Sequence, residues 1–251
     1  MRIIEFEEIY QMGQKAFSIV MDEIEHNPQL LLCAATGSSP LPLYRNLAEE
    51  ANKRAAAFDQ LRVLPLDEWV GLPSSDDSCH EFLQKHILRP LKITQQRYFP
   101  FNLETENLEE ECLRIQAMVK EQGPIDLCIL GLGKNGHLGF NEPANEFQPH
   151  CHIADLTIES QQHSMIMDAS TKPTRGITLG IQDILSSRRI LLLVSGSGKE
   201  EAKKQLLSTE INPQCPASLL WKHDNVDCLV VRPYKIDNNN LCHAPKEAKI
   251  K

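Results

Sequence analysis

Runs of consecutive apolar residues punctuate the chain, and between them apolar side chains return every three or four positions. Leu30 to Ala35 (LLLCAA) is short enough for one buried strand. It ends in the turn-forming Thr36-Gly37-Ser38-Ser39-Pro40, after which helical spacing begins with Leu43 and Leu47. The run Leu61 to Leu66 reads as a second strand ending at Asp67. Ile125 to Leu130 (IDLCIL) reads as a third, ending in Gly131-Leu132-Gly133-Lys134-Asn135-Gly136. Arg189 to Val194 and Val226 to Val231 supply two more, while Leu108 to Lys120 and Lys199 to Leu207 carry helical spacing. Strands that are apolar throughout, rather than alternating, are covered on both faces, and the intervening helices supply the cover. The pattern predicts an α/β fold, a single-domain three-layer α/β/α sandwich around a mainly parallel sheet. Right-handed crossovers then bring every strand-to-helix loop to the carboxyl edge of that sheet, where open α/β sheets bind ligands. Apolar periodicity fades near Arg232, so the domain is expected over residues 1–231, with a polar tail over 232–251.

Composition narrows the function classes. The 251 residues suffice for one large domain with a substantial core. A formal net charge of −8 argues against a sequence-blind nucleic-acid binder, which needs clustered Lys and Arg. No stretch approaches the roughly 20 apolar residues that cross a bilayer. Met1-Arg-Ile-Ile-Glu-Phe-Glu-Glu lacks the basic flank and apolar core of a secretion signal, so a cytoplasmic location is expected. The 8 cysteines include no CxxC pair, and Cys33 and Cys128 lie inside apolar runs, where a reduced thiol behaves as a small hydrophobe. In an extended His150-Cys151-His152 the side chains alternate in direction and cannot all face one ion, so no metal is expected there.

The candidate chemistry sits in the loops after the first three strands named. Thr36-Gly37-Ser38-Ser39 exposes backbone N–H groups and hydroxyls at a helix start, a suitable cradle for phosphate. The alternative is an ordinary capped helix, with Ser39 as cap and Pro40 at the first helical position. Asp67 and Glu68 are adjacent acids at a strand end, so only one can point into a cleft, where a carboxylate of adjusted pKa can abstract a carbon-bound proton. The third loop, from Gly131 to Pro143 (GLGKNGHLGFNEP), has glycines that allow close backbone approach, with His137 directly after them and Glu142 five positions on. A carboxylate in the same loop can orient and charge an imidazole for proton transfer.

The segments TGSSPLPLY, LDEWVGLP, IDLCILGLGKNGHLGFNEP and LLLVSGSGK, in that order and spacing, resemble the glucosamine-6-phosphate deaminase and isomerase family over residues 28 to 231. LDEWVGLP, GLGKNGHLGFNEP and PTRGITLG are most similar to the members named galactosamine-6-phosphate isomerases. The resemblance implies a Rossmann-like sheet and deamination of a hexosamine 6-phosphate, without metal or organic cofactor. It also implies roles: Asp67 as the proton-abstracting acid, His137 as the ring-opening base, Glu142 as its partner, and Thr36, Gly37, Ser38, Ser39 and Lys199 as phosphate ligands. Two positions depart from the family pattern. Asn135 stands where most glucosamine-6-phosphate deaminases have aspartate; it can orient an imidazole but cannot supply charge. The family's arginine beyond the NEP segment has no match, because Gln161-Gln162-His163-Ser164 occupies that stretch, and Arg175 is the expected substitute. The basic positions of the allosteric deaminases are also missing, with His152 and Ala154 near them, so activation by an acetylated amino sugar phosphate is not expected. Two rivals remain: a 6-phosphogluconolactonase, and a non-catalytic sugar-phosphate sensor. The expected partner is a small amino sugar phosphate, with a homo-oligomer left open because relatives occur as monomers and as hexamers.

Overall fold

The computed structural model describes residues 1–72 and 77–232, so the tail expected over 232–251 lies outside the described residues except for Arg232. In chain order the regular elements are β1 (Arg2–Phe6), α1 (Ile9–His26), β2 (Leu31–Ala34), α2 (Leu41–Lys53), β3 (Arg62–Pro65), β4 (Asp67–Val70) and α3 (Cys79–Leu83). They continue with α4 (Leu108–Gln122), β5 (Leu127–Gly131), β6 (His152–Asp155), α5 (Ile158–Gln161), β7 (Arg175–Thr178), α6 (Ile181–Leu185), β8 (Arg189–Val194), α7 (Glu200–Leu207) and β9 (Val226–Val231). Among the described residues no helix is long and apolar enough to cross a membrane.

Six strands form one sheet in the order β1-β9-β8-β5-β2-β3, with every neighbouring pair parallel. Successive side chains of a strand point to opposite faces, so a run that is apolar throughout feeds two cores. In β8, Ile190, Leu192 and Val194 join one cluster, while Leu191 and Leu193 join the other. β2 and β5 divide in the same way. Helices α1 and α2 cover one face through Met12, Ile19, Val20, Leu43 and Leu47. On the opposite face α4, α6 and α7 contribute Ile115, Ile184 and Leu206. The result is the single-domain, mainly parallel three-layer sandwich that the apolar runs predict.

Two features differ from the expectation. The first strand, β1, adds to the edge beside β9; its Arg2, Ile3 and Glu5 are exposed, so it shows no continuous apolar run. The run Leu61 to Leu66 does not end in an acid at a strand tip. β3 stops at Pro65, a residue tolerated on an edge strand, and Asp67 opens β4 of a separate antiparallel sheet, ordered β4-β7-β6. Beside this small sheet a third cluster gathers Trp69, Cys79, Phe140, Ala154, Leu156 and Ile166.

Strand order sets the place of the site. From β2 the chain moves to β3 on one side, returns to β5 on the other, and then works outward through β8 and β9. The crevice at the carboxyl ends of β2 and β5 is therefore the topological switch point, the usual ligand position in such sheets.

Candidate active site

A cavity of about 380 Å³ occupies that crevice. Thr36, Gly37, Ser38 and Ser39 line it from the loop after β2; Gly133, Lys134 and His137 from the loop after β5; Ser195, Gly196, Ser197 and Lys199 from the loop after β8. Asp67 and Trp69 enter from β4, and Ser160, Gln162 and His163 close a further side.

The loop after β2 turns through Gly37 at φ +99°, a left-handed conformation that favours glycine. Ser39 does not cap the helix. Helix α2 starts at Leu41 with no side-chain cap, and the Ser39 hydroxyl instead lies 2.8 Å from that of Ser195. This bond ties the loops after β2 and β8 across the cavity. Lys199 follows the turn at Gly196 and Gly198 and stands at the start of α7. Burial, reinforced by Lys203 and Lys134, pulls its ammonium down to about 8.

The acid pair separates as its alternating geometry requires. Glu68 turns away and accepts backbone N–H groups from Trp69 at 2.8 Å, Cys79 at 2.9 Å and His80 at 2.7 Å. Asp67 faces the cavity at 8% exposure, and its Oδ1 accepts the Cys79 thiol at 3.7 Å. Burial, with the Glu68 charge next, pushes the Asp67 carboxyl up to about 7, although Cys79 and His137 pull the other way. A carboxyl so placed exchanges a proton near neutrality, the condition for efficient general acid–base work.

The third loop folds onto itself around His137. A Cβ on Gly133 would stand 2.2 Å from the imidazole Cδ2, so only glycine lets the ring lie there. The ring Nδ1 meets Glu142 Oε2 at 3.2 Å, which leaves Nε2 as the free ring nitrogen among the described residues. Glu142 is held on every side: Asn135 Nδ2 donates at 2.9 Å, Thr157 Oγ1 at 3.2 Å, and the Ser160 hydroxyl closely. Burial alone would raise this carboxyl, but the hydrogen bonds from His137, Ser160 and Asn135 outweigh it and hold Glu142 at about 2. It stays a carboxylate at any working pH, so it can fix the imidazole and stabilise its charged form.

Asn135 acts less directly than expected. Its Oδ1 accepts the backbone N–H of His137 at 3.1 Å and its amide bonds Glu142; it makes no hydrogen bond to the imidazole itself. Arg175 requires a correction. It opens β7 opposite Val70 and is exposed, whereas Thr178, three positions on, is the residue beside Asp67. A strand advances about 3.3 Å per residue, which leaves Arg175 at the far end of the small sheet and outside the cavity lining. Thr157, Ser160 and His163 carry no pattern that marks a site in the sequence, because between β6 and β7 only the four-residue α5 and a single tight turn form, too short for an apolar period. Cys79 carries no such pattern because its approach to Asp67 depends on the Glu68 clamp.

Residues 7–229 match the family model described as glucosamine-6-phosphate isomerases/6-phosphogluconolactonase. The AgaI protein of Escherichia coli (strain K12) is 42% identical over 220 residues, covering 87% of each chain. Glucosamine-6-phosphate deaminase of Bacillus pumilus (strain SAFR-032) is 38% identical over 235 residues, covering 92% of this chain and 98% of its own. Among solved structures, a monomeric glucosamine-6-phosphate deaminase superposes with a TM-score of 0.87 at 34% identity, covering 92% of this chain and 98% of that one. A 6-phosphogluconolactonase from Thermotoga maritima, with a TM-score of 0.71 at 18% identity, shares the fold. The chain belongs to the family of glucosamine-6-phosphate isomerases and 6-phosphogluconolactonases.

Proposed function

We propose that the protein is a hexosamine-6-phosphate deaminase that isomerises its substrate, with galactosamine 6-phosphate preferred and tagatose 6-phosphate plus ammonia as products. The observation that carries this reading is the Asp67 carboxyl, buried and poised at about 7, facing the same cavity as the His137–Glu142 pair. The phosphate rests in the loop Thr36 to Ser39 with Lys199, which fixes the sugar's orientation, a contribution that can reach several kcal/mol.

His137, kept in position by Glu142, takes the anomeric hydroxyl proton and opens the ring. Asp67 then removes the proton from the amine-bearing carbon, giving an enolamine, and returns it to the neighbouring carbon. The resulting ketose imine adds water and expels ammonia. Amine and carbonyl supply the electron sink, so the residues named suffice for every proton transfer. General acid–base groups of this kind typically contribute about 10²- to 10⁴-fold each.

The galacto preference rests on the similarity of LDEWVGLP, GLGKNGHLGFNEP and PTRGITLG to galactosamine-type members. A second reading, glucosamine 6-phosphate converted to fructose 6-phosphate, is favoured by relatives that are named glucosamine-6-phosphate deaminases at 33–38% identity. Ammonia release from both substrates, beside hydrolysis of 6-phosphogluconolactone, separates the readings. The expected result is a kcat/KM roughly tenfold higher for galactosamine 6-phosphate, a difference of about 1.4 kcal/mol at the transition state. Preference for the gluco compound would establish the second reading, and lactone hydrolysis alone would overturn both.

A further inference from the structure

We propose that His163 is a substrate-binding residue, its Nε2–H donating to the phosphate of the sugar. This role rests on the deaminase reading above and completes the anion subsite of that same cavity.

Four observations carry it. His163 lines the cavity. Its ring lies against the phosphate loop, with Nε2 3.9 Å from the point where a Cβ on Gly37 would stand. Its tautomer is set from behind: Nδ1 accepts the backbone N–H of Met165 at 3.2 Å, so the ring proton belongs on Nε2. That Nε2 has no hydrogen-bond partner among the described residues, although the ring is held in place against Trp69 at a centroid distance of 5.9 Å.

The surroundings identify the ligand class. Besides the carboxylate-bound His137, the charged groups that act on His163 are Lys199 and Lys134. A Cβ on Gly198 would stand 3.6 Å from Lys134 Cε, so Lys134 leans over the same turn that leads into Lys199. Lys134, Lys199, the linked Ser39 and Ser195 hydroxyls and the oriented His163 ring all line this cavity, a donor set suited to a phosphate monoester. Burial, together with the charges of His137, Lys199 and Lys134, drives the His163 imidazole down to about 4. It is therefore neutral near neutral pH. A neutral imidazole supplies a directed hydrogen bond without a fixed charge, and Lys134 and Lys199 in the same lining supply the positive charge.

The test uses inorganic phosphate as the probe, with calorimetric titration of the intact chain and competitive inhibition of ammonia release measured side by side. His163→Phe keeps the ring against Trp69 and removes the donor. It is expected to weaken phosphate binding and raise KM by roughly tenfold, with kcat within about twofold, the signature of lost uniform binding. His163→Arg is expected to bind phosphate at least as tightly as the unsubstituted chain. Unchanged phosphate affinity in His163→Phe would reduce the ring to a wall of the cavity and overturn the proposal. Equal weakening in His163→Arg and His163→Phe would overturn it as well. Because the titration requires no turnover, a chain that binds phosphate through His163 yet releases no ammonia would count against the deaminase reading alone.

Discussion

Asp67 and Glu68 are neighbours along one strand and meet opposite environments because side chains alternate across a strand. Glu68 is satisfied by three backbone N–H groups, whereas Asp67 has one weak thiol donor and a cavity in front of it. Sequence alone shows that only one of the pair can enter a cleft; which one does is set by the N–H groups of residues 79 and 80, which arrive from a distant turn. In the proposed reaction the carboxylate form of Asp67 is the base, and burial pushes its pKa up to about 7, so kcat/KM is expected to climb with pH through neutrality and fall on the acid side. The Cys79 thiol favours the carboxylate, so Cys79→Ala should move that acid limb to higher pH, read from a pH–rate profile. An unmoved limb would mean that Cys79 does not tune the base. The same pKa has a stability consequence. A carboxyl whose folded pKa is raised loses stability as pH climbs from its unfolded value near 4 to its folded value near 7. Every tenfold weakening of its acidity corresponds to about 1.4 kcal/mol. Asp67→Asn removes that cost, so thermal melts should show the variant more stable than the parent at pH 8, with the gain shrinking toward pH 4.

At the scale of elements, the small sheet β4-β7-β6 carries Asp67 into the crevice. Its strands hold four residues each and mix polar with apolar side chains, so they give no apolar run for periodicity to reveal. Glu68 fastens β4 to the start of α3 through Cys79 and His80, and that fastening sets the thiol beside Asp67. Glu68→Ala would leave three N–H groups, two of them buried, without their acceptor. A cost on the order of 3 kcal/mol or more is expected in urea unfolding, together with loss of the Cys79 effect on the pH profile. A cost below about 0.5 kcal/mol would show that the clamp is dispensable. The loops after β2 and β5 were readable as candidate phosphate and proton-transfer loops because each interrupts an apolar run with glycine and polar side chains. The lining contributed between β6 and β7 was not readable, since its position depends on packing against Trp69 and Glu142 and not on any local pattern.

At the scale of the molecule, the two cores on either face of the parallel sheet hold the three cavity-lining loops at one edge. The apolar runs made this architecture legible: a strand buried on both faces must be apolar at every position, and only helices can cover both sides. Arg175 shows the limit of such reading, since the sequence supplies an arginine near the expected place while register puts it at the wrong end of β7. Leu191 is fully buried at the centre of one core. Leu191→Ala is expected to cost about 2–5 kcal/mol, measured as an earlier single transition in urea. Two separated transitions would show instead that the two faces unfold independently. The central claim is that one carboxyl, poised by its burial, moves the proton between the first two carbons of the sugar. Ammonia release from galactosamine 6-phosphate and glucosamine 6-phosphate by Asp67→Asn tests it most directly: the account predicts that turnover falls to background while phosphate still binds, and ammonia release near the unsubstituted rate would contradict it.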